Sequence, residues 1–297
     1  MLGIKQITQN KTAIDSSKFP ALFLGPGKYA QAASNSSLND FTAFTAAHSM
    51  NYTNLHLSGG QQYNEFSILK NNSSNLFLGS NTAGALVQQY GTSNSLVLIC
   101  TGSSKTIEVL NDANIHGPGG YTRSQGHIVT KVLTADASSN TYALHTIHSG
   151  GFSPASANFT VHTKTTGSFT FTNWGTFNTD GFVSVGAYRE SGEDQLVGEA
   201  GDDQNANCTS SHGFLRGQVW NSVLTDQQIL NTVGGDGTVF SMPSYTEGSY
   251  PQPLHEWIPV IGDNFTIPDT GSSGSGPPSI PLTISGLAKV GYYPARV

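Results

Sequence analysis

The sequence predicts an all-β, antiparallel two-sheet protein, and three observations carry that prediction. Short runs of branched and aromatic residues recur at roughly 8–12-residue spacing, each bounded by Gly, Ser or Asn clusters. Charged residues make up only 11% of the chain, against about 25% in an average soluble protein, and Ser, Thr, Asn, Gln and Gly fill the difference. The single convincing helical signal is one short capped turn near Thr225. With 297 residues, including 15 Phe and 11 Tyr, the chain can fill the core of one large sandwich or two modest domains.

The elements follow in order. Residues 1–18 alternate weakly and read as an arm or edge strand. Ala21–Leu24 reads as a strand, Gly25-Pro26-Gly27 as a turn, and Tyr29–Ala33 as a second short strand. Phe41–Ala46 follows. Hairpin-like runs come next at Asn54–Ser58, Phe66–Leu69, Leu76–Gly79, Ala85–Tyr90, Ser95–Cys100 and Thr106–Asn111. His127–Thr134, Thr141–His148, Phe159–His162, Ser168–Thr172 and Phe182–Tyr188 continue the series. Phe214–Asn221 has strand spacing, with Leu215, Gly217 and Val219 on one face and Phe214, Arg216, Gln218 and Trp220 on the other.

The turn after that strand is specified residue by residue. Thr225 is placed as an N-cap whose hydroxyl accepts from the Gln228 N–H, while the Gln228 side chain reaches back to the Thr225 N–H. Leu224 and Ile229 are spaced as a hydrophobic staple, and Gly234 and Gly235 supply the left-handed stop.

Strand plus N-x-x-L-[TS]-x-x-[QE]-I resembles the final strand and helical turn of laminin-G-like, concanavalin A-like domains. FPALFLGPGKYAQAASNSSLNDFTAFTAA resembles their opening, with Phe44 but no Trp in the expected aromatic set. The resemblance covers residues 19–235 and implies a jelly-roll sandwich there. Residues 236–297 are rich in proline and read as an extended C-terminal arm, with a flexible linker at 269–278. Trp257, Ile258, Phe265, Ile284, Leu287, Tyr292 and Tyr293 on that arm require burial, either against the sandwich or against a neighbouring subunit, and subunit assembly is the expected means.

Several function classes are disfavoured. Net charge is −6 and no Lys/Arg cluster appears, which argues against nucleic acid. No apolar run approaches the roughly 20 residues that span a bilayer, and residues 1–19 lack the pattern of a signal peptide. The Asn-x-Ser/Thr triplets are expected by chance in so Ser/Thr/Asn-rich a chain. Cys100 and Cys208 are compatible with a disulfide or with two buried thiols. No E-x-D-x-x-E string, H-E-x-x-H pair or G-x-S-x-G elbow occurs, so no enzyme is expected. The nine histidines read as isolated, His145 and His148 pointing to opposite faces.

Two candidate sites remain. Glu193, Asp194, Asp202 and Asp203 lie in an acidic stretch that offers oxygen ligands to Ca²⁺, as loops of many laminin-G-like domains do; solvated surface acid is the plainer alternative. Trp174, Tyr188 and Trp220 are candidate platforms for sugar rings; a Trp in a final strand, as Trp220 is, is more often core than ligand site, and Trp174 in a turn is the better candidate for exposure. Low charge, terminal arms and the missing secretory pattern together suggest a structural protein on a phage or virus particle: head decoration, head fibre or tail component. Its partners would be other virion subunits, including copies of itself. The alternative is a lectin-like adhesin binding host glycans.

Overall fold

The computed structural model describes residues 19–24, 28–32, 41–52, 63–69, 75–80, 94–101, 105–112, 128–149, 162–168, 182–186, 188–189, 196–197, 212–235, 242, 245, 249–272, 279–285 and 288–293. Its strands are β1 (Phe19–Leu24), β2 (Tyr29–Gln31), β3 (Ala43–Tyr52), β4 (Tyr63–Leu69), β5 (Asn75–Ser80), β6 (Asn94–Thr101), β7 (Lys105–Asp112), β8 (Ile128–Asp136) and β9 (Thr141–Ser149). They continue with β10 (His162–Ser168), β11 (Phe182–Val185), β12 (Tyr188–Arg189), β13 (Leu196–Val197) and β14 (His212–Trp220). The helix α1 (Asp226–Asn231) precedes β15 (His255–Trp257), β16 (Thr266–Ile267), β17 (Leu282–Ser285) and β18 (Lys289–Tyr293).

Two antiparallel sheets form a β-sandwich. The first runs β10-β9-β8-β3-β14-β1-β18, with β15 also paired to β14; the second runs β16-β17-β2-β11-β4-β5-β6-β7. Alternation along the strands decides which residues meet between them. Leu22 and Leu24 of β1, Phe44, Ala46 and Met50 of β3, and Leu133 and Leu144 of β8 and β9 face inward. They pack with Phe66, Val183, Val185, Ile267 and Leu282 of the second sheet. Their strand neighbours on the opposite face, Ala21, Ala47, Val132 and Ile147, point outward, where a second apolar cluster forms with Leu224, Ile229, Val233 and Tyr250. The capped turn therefore lies on the outer face of the first sheet, and β8 is buried on both sides.

The cap is formed as its sequence specifies. Gln228 N donates to Thr225 Oγ1 at 3.3 Å, and Thr225 N donates to Gln228 Oε1 at 2.9 Å. Leu224 and Ile229 share the outer cluster. Gly234 and Gly235 have φ of 107° and 88°, and Gly235 N donates to Leu230 O at 2.9 Å.

The strict alternation read along Phe214–Asn221 is corrected by a β-bulge. The pairing of β14 with β3 shifts between Phe214 and Arg216. An extra residue flips the parity beyond it. Phe214 and Val219 therefore share the inner core, while Leu215 and Trp220 share the outer cluster. Gly217 turns inward, where a Cβ would stand 2.9 Å from the Phe66 ring.

The larger correction concerns residues 236–297. Their described part is woven into both sheets rather than lying apart as an arm. β18 pairs with β1 from Phe19↔Tyr293 to Phe23↔Lys289, β15 pairs with β14, and β17 pairs with β2. Pro253, Pro259, Pro268 and Pro281 sit at the ends of these short strands, where no ladder donor is lost. The expected linker also begins as ordered chain: Thr270 N donates to Glu256 O and Ser272 N to Pro253 O, at 2.8 and 2.9 Å. Residues 273–278 lie outside the described residues.

The proposed assembly residues divide accordingly. Trp257 is fully buried in the sandwich, its indole N–H donating to Ile280 O at 2.7 Å, and Ile284 packs against the same core. Ile258 is half-buried. Phe265 and Tyr292 remain exposed, at 78% and 43%. Leu287 and the Tyr293 side chain lie outside the described residues.

Candidate functional site

An open cleft of about 480 Å³ lies on the outer face of the first sheet, beside the helical turn. Its floor is the β8–β9–β10 end of the sheet, contributing Thr134, Asp136, Thr141, His145, Lys164 and Thr166. These share a face because the register sets Asp136 opposite Thr141, Lys164 opposite His145 and Thr166 opposite Ala143. Its wall is the segment Val223–Asp226.

Two clamps hold that wall against the sheet. Thr45 Oγ1 donates to Ser222 O at 2.7 Å and accepts from Leu224 N at 2.9 Å. Lys164 Nζ donates to Asp226 Oδ1 at 2.7 Å. At the far end Tyr142 lies over Gly167, where a Cβ would stand 2.4 Å from the Tyr142 hydroxyl oxygen. Asp136 accepts from the backbone N–H and the hydroxyl of Ser138 in the β8–β9 turn, at 2.8 and 2.7 Å.

The electrostatics leave the lining proton-poor at neutral pH. The Ser138 hydrogen bonds hold the Asp136 carboxyl below its ordinary value. The Lys164 ammonium does the same for Asp226. Burial, and then the neighbouring His162, push His145 down to about 4. Lys164 has a carboxylate partner and Asp136 adds a second carboxylate, so the cleft presents hydroxyls, one ion pair and a single surplus negative charge.

The expectation of isolated histidines fails here. His145 Nδ1 and His162 Nε2 are 2.9 Å apart, diagonal neighbours across β9 and β10. A second cluster lies in the C-terminal segment. His255 Nδ1 is 2.7 Å from Asp269 Oδ2, and the Asp269 carboxylate also accepts from the backbone N–H groups of Glu256, Gly271 and Ile280. Glu256 Oε1 meets Gln218 Nε2 at 2.7 Å and Arg216 Nε at 3.2 Å. These groups are buried and belong to the sandwich rather than to the cleft.

Of the three sugar platforms read from the sequence, Trp220 alone has its side chain among the described residues. Trp220 is corrected to a core residue: it is 2% exposed, its indole N–H donates to Pro251 O at 2.8 Å, and Tyr250 packs against it edge-on. Tyr188 lies in β12, paired with β13, and its side chain is outside the described residues, as is Trp174. Glu193, Asp194, Asp202 and Asp203 also lie outside them. Among the described residues no three His, Cys, Asp or Glu side chains are grouped to hold a metal ion.

No protein-family model and no curated protein matches the sequence. Solved structures are similar at low identity. One is a protein from Bacteroides ovatus described as carbohydrate-binding: 13% identity, TM-score 0.46, 94% of this chain covered. Another is a GH54 α-L-arabinofuranosidase: 11% identity, TM-score 0.38, 87% covered. The chain spans 61% and 53% of the lengths of those two proteins. One fold carries many functions, so what this chain binds is argued from its own cleft.

Proposed function

We propose that the chain is a non-catalytic glycan-binding sandwich that takes a neutral oligosaccharide in the cleft beside the helical turn. The observation that supports this is the lining itself. Thr134, Thr141, Thr166 and Ser168 bring hydroxyls, and Asp136 and the Lys164–Asp226 pair bring charged partners, into one open groove. Its volume falls within the range of small-ligand sites, about 300–1,000 Å³. A polyhydroxylated ligand can exchange water for these donors and acceptors in kind. An acidic ligand would find the cation already paired.

The same chemistry favours binding over hydrolysis. A glycosidase requires one carboxyl whose proton is retained near neutrality to protonate the leaving oxygen. Asp136 and Asp226 are both shifted the other way.

The virion reading rested on low charge, the missing secretory pattern and terminal arms together, and the C-terminal arm no longer supports it. With Trp257 in the core and β15, β17 and β18 in the sheets, glycan binding becomes the first reading.

Isothermal titration against neutral oligosaccharides selected on a glycan array tests the proposal. Lys164→Ala should weaken binding by about tenfold while leaving the melting temperature nearly unchanged. A wild-type protein that binds no neutral glycan at millimolar concentration would overturn it.

A further inference from the structure

The contact between His145 and His162 is geometrically particular. Their ring planes differ by only 12°, which by itself would suit stacking. The ring centres, however, are 5.2 Å apart while the facing nitrogens are 2.9 Å apart. That separation equals the nitrogen–nitrogen distance plus one ring radius on each side. The two rings therefore meet nose to nose, nearly in one plane, with Nδ1 of His145 aimed at Nε2 of His162. Such a contact requires one N–H and one lone pair. It can hold a single proton, or a charge-assisted N–H⁺···N bond, but not an N–H on both sides.

The surroundings give that contact a consequence. His145 is 1% exposed and lines the cleft; His162, on the edge strand β10, is half-buried and does not. Opposite His145 on β8 stands Val132, with Thr134 beside it, neither of them titratable. From β10 the facing groups are His162 and Lys164, and from α1 Asp226. Asp226 attracts protons toward both rings, while Lys164 opposes them. Asp226 is at present the partner of Lys164, and both line the cleft.

We propose that the His145–His162 pair is an acid-operated latch on the cleft: a second proton breaks the ring-to-ring bond, His162 swings outward and takes Asp226 from Lys164, and the mouth of the cleft is rebuilt. This regulation rests on the glycan-binding reading of the same cleft, but the latch itself is defined without ligand. The first proton settles on His162, the more exposed ring, and preserves the bond by donating to His145. The second must enter the buried ring, whose pKa burial and His162 hold at about 4. Asp226 is still ionised there, because Lys164 keeps its carboxyl below the ordinary value. The latch therefore opens in distinctly acidic surroundings and stays shut across the range in which an unperturbed histidine titrates.

Two measurements on the full chain test this. Ring ¹⁵N and ¹H resonances are followed from pH 7.5 to pH 3.5 without ligand. The latch predicts one shared N–H between the two rings, retained through the first protonation and lost only with the second. Two rings that titrate independently near their ordinary value, with no shared N–H, would overturn the latch whatever the cleft binds. Binding of the oligosaccharide chosen above is then measured across the same range in wild type and in His162→Gln. The Gln amide can donate to His145 but carries no titrating ring. Wild-type affinity should fall by about tenfold on acidification, and His162→Gln should bind like wild type at pH 7.5 and stay flat. An unchanged pH profile in His162→Gln also overturns the latch; His162→Asn serves as second variant if the first melts early. Absence of any glycan binding with the shared N–H present would sink the ligand reading and leave the latch standing.

Discussion

Two polar clusters in this molecule use the same residue types to opposite ends. Around Asp269 every group is enclosed: His255 and Asp269 are 1% and 3% exposed at their side chains, and the carboxylate takes one imidazole and three backbone N–H groups. Around Asp226 the pair is open: Lys164 and Asp226 are 39% and 51% exposed, and the carboxylate borders a cleft. The closed cluster ties the chain after Pro253 to the sandwich. The open one stabilises little and leaves its groups available. Solvent access, rather than the presence of His, Asp and a basic side chain, separates a structural clasp from an open cleft lining.

The sharpest way to break this comparison is to remove each carboxylate. Asp269→Ala should cost about 3–5 kcal/mol, because an imidazole and three backbone donors are left buried without their acceptor. Urea denaturation would measure it, and a loss below about 1 kcal/mol would place the clasp in the same class as the surface pair. The acid response should be next in size and should come in two windows. His145 has a folded value of about 4 against an ordinary 6.5. The unfolded chain binds the proton more readily, so this stability is present above pH 6.5 and lost as pH falls toward 4, an effect of up to about 3 kcal/mol. Burial alone would raise the Asp269 carboxyl, but the His255 hydrogen bond and the Ile280, Glu256 and Gly271 amides outweigh it and leave it below 3.8. Its contribution therefore survives the first window and is lost only as pH falls below 3.8. Melting temperature against pH, in wild type and His145→Leu, separates the two: the variant should lose the first slope and keep the second.

Smaller effects sharpen the contrast from the open side. Thr225→Ala removes the cap of α1 and should cost roughly 0.5–2 kcal/mol by denaturant titration, since the turn is fixed by its own hydrogen bonds. Asp226→Asn should change stability by less than about 1 kcal/mol, read in the same titration. A larger loss would mean that the wall of the cleft depends on the Lys164 pair rather than on the Thr45 clamp.

Local signals were legible in the sequence, and distant meetings were not. The Thr225–Gln228 box depends on residues three apart, and it forms as read. Strands such as Thr141–Ser149 and Ile128–Asp136 match their apolar runs within two residues. In the sequence β10 falls in the gap between two apolar runs, because HTKTTGS carries no branched apolar residue to mark it. The proline-rich end resembles an arm in sequence because its prolines are obvious and the short strands between them are not. The cleft joins Asp136, His145, Lys164 and Asp226 through sheet register and one docked turn, and register is invisible until both strands are paired.

The pairing of β1 with β18 has a consequence for how the protein is made. β1 lies between β14 on one side and β18 on the other, both far downstream. On a ribosome the first strand emerges long before either neighbour exists, and its backbone donors and acceptors wait in water or against a chaperone. Such long-range closure is entropically expensive and slow. The sandwich can close only when residues 289–293 have left the exit tunnel, so synthesis interrupted shortly before them yields a chain with its first strand unpaired along one edge, open to pairing with another such chain.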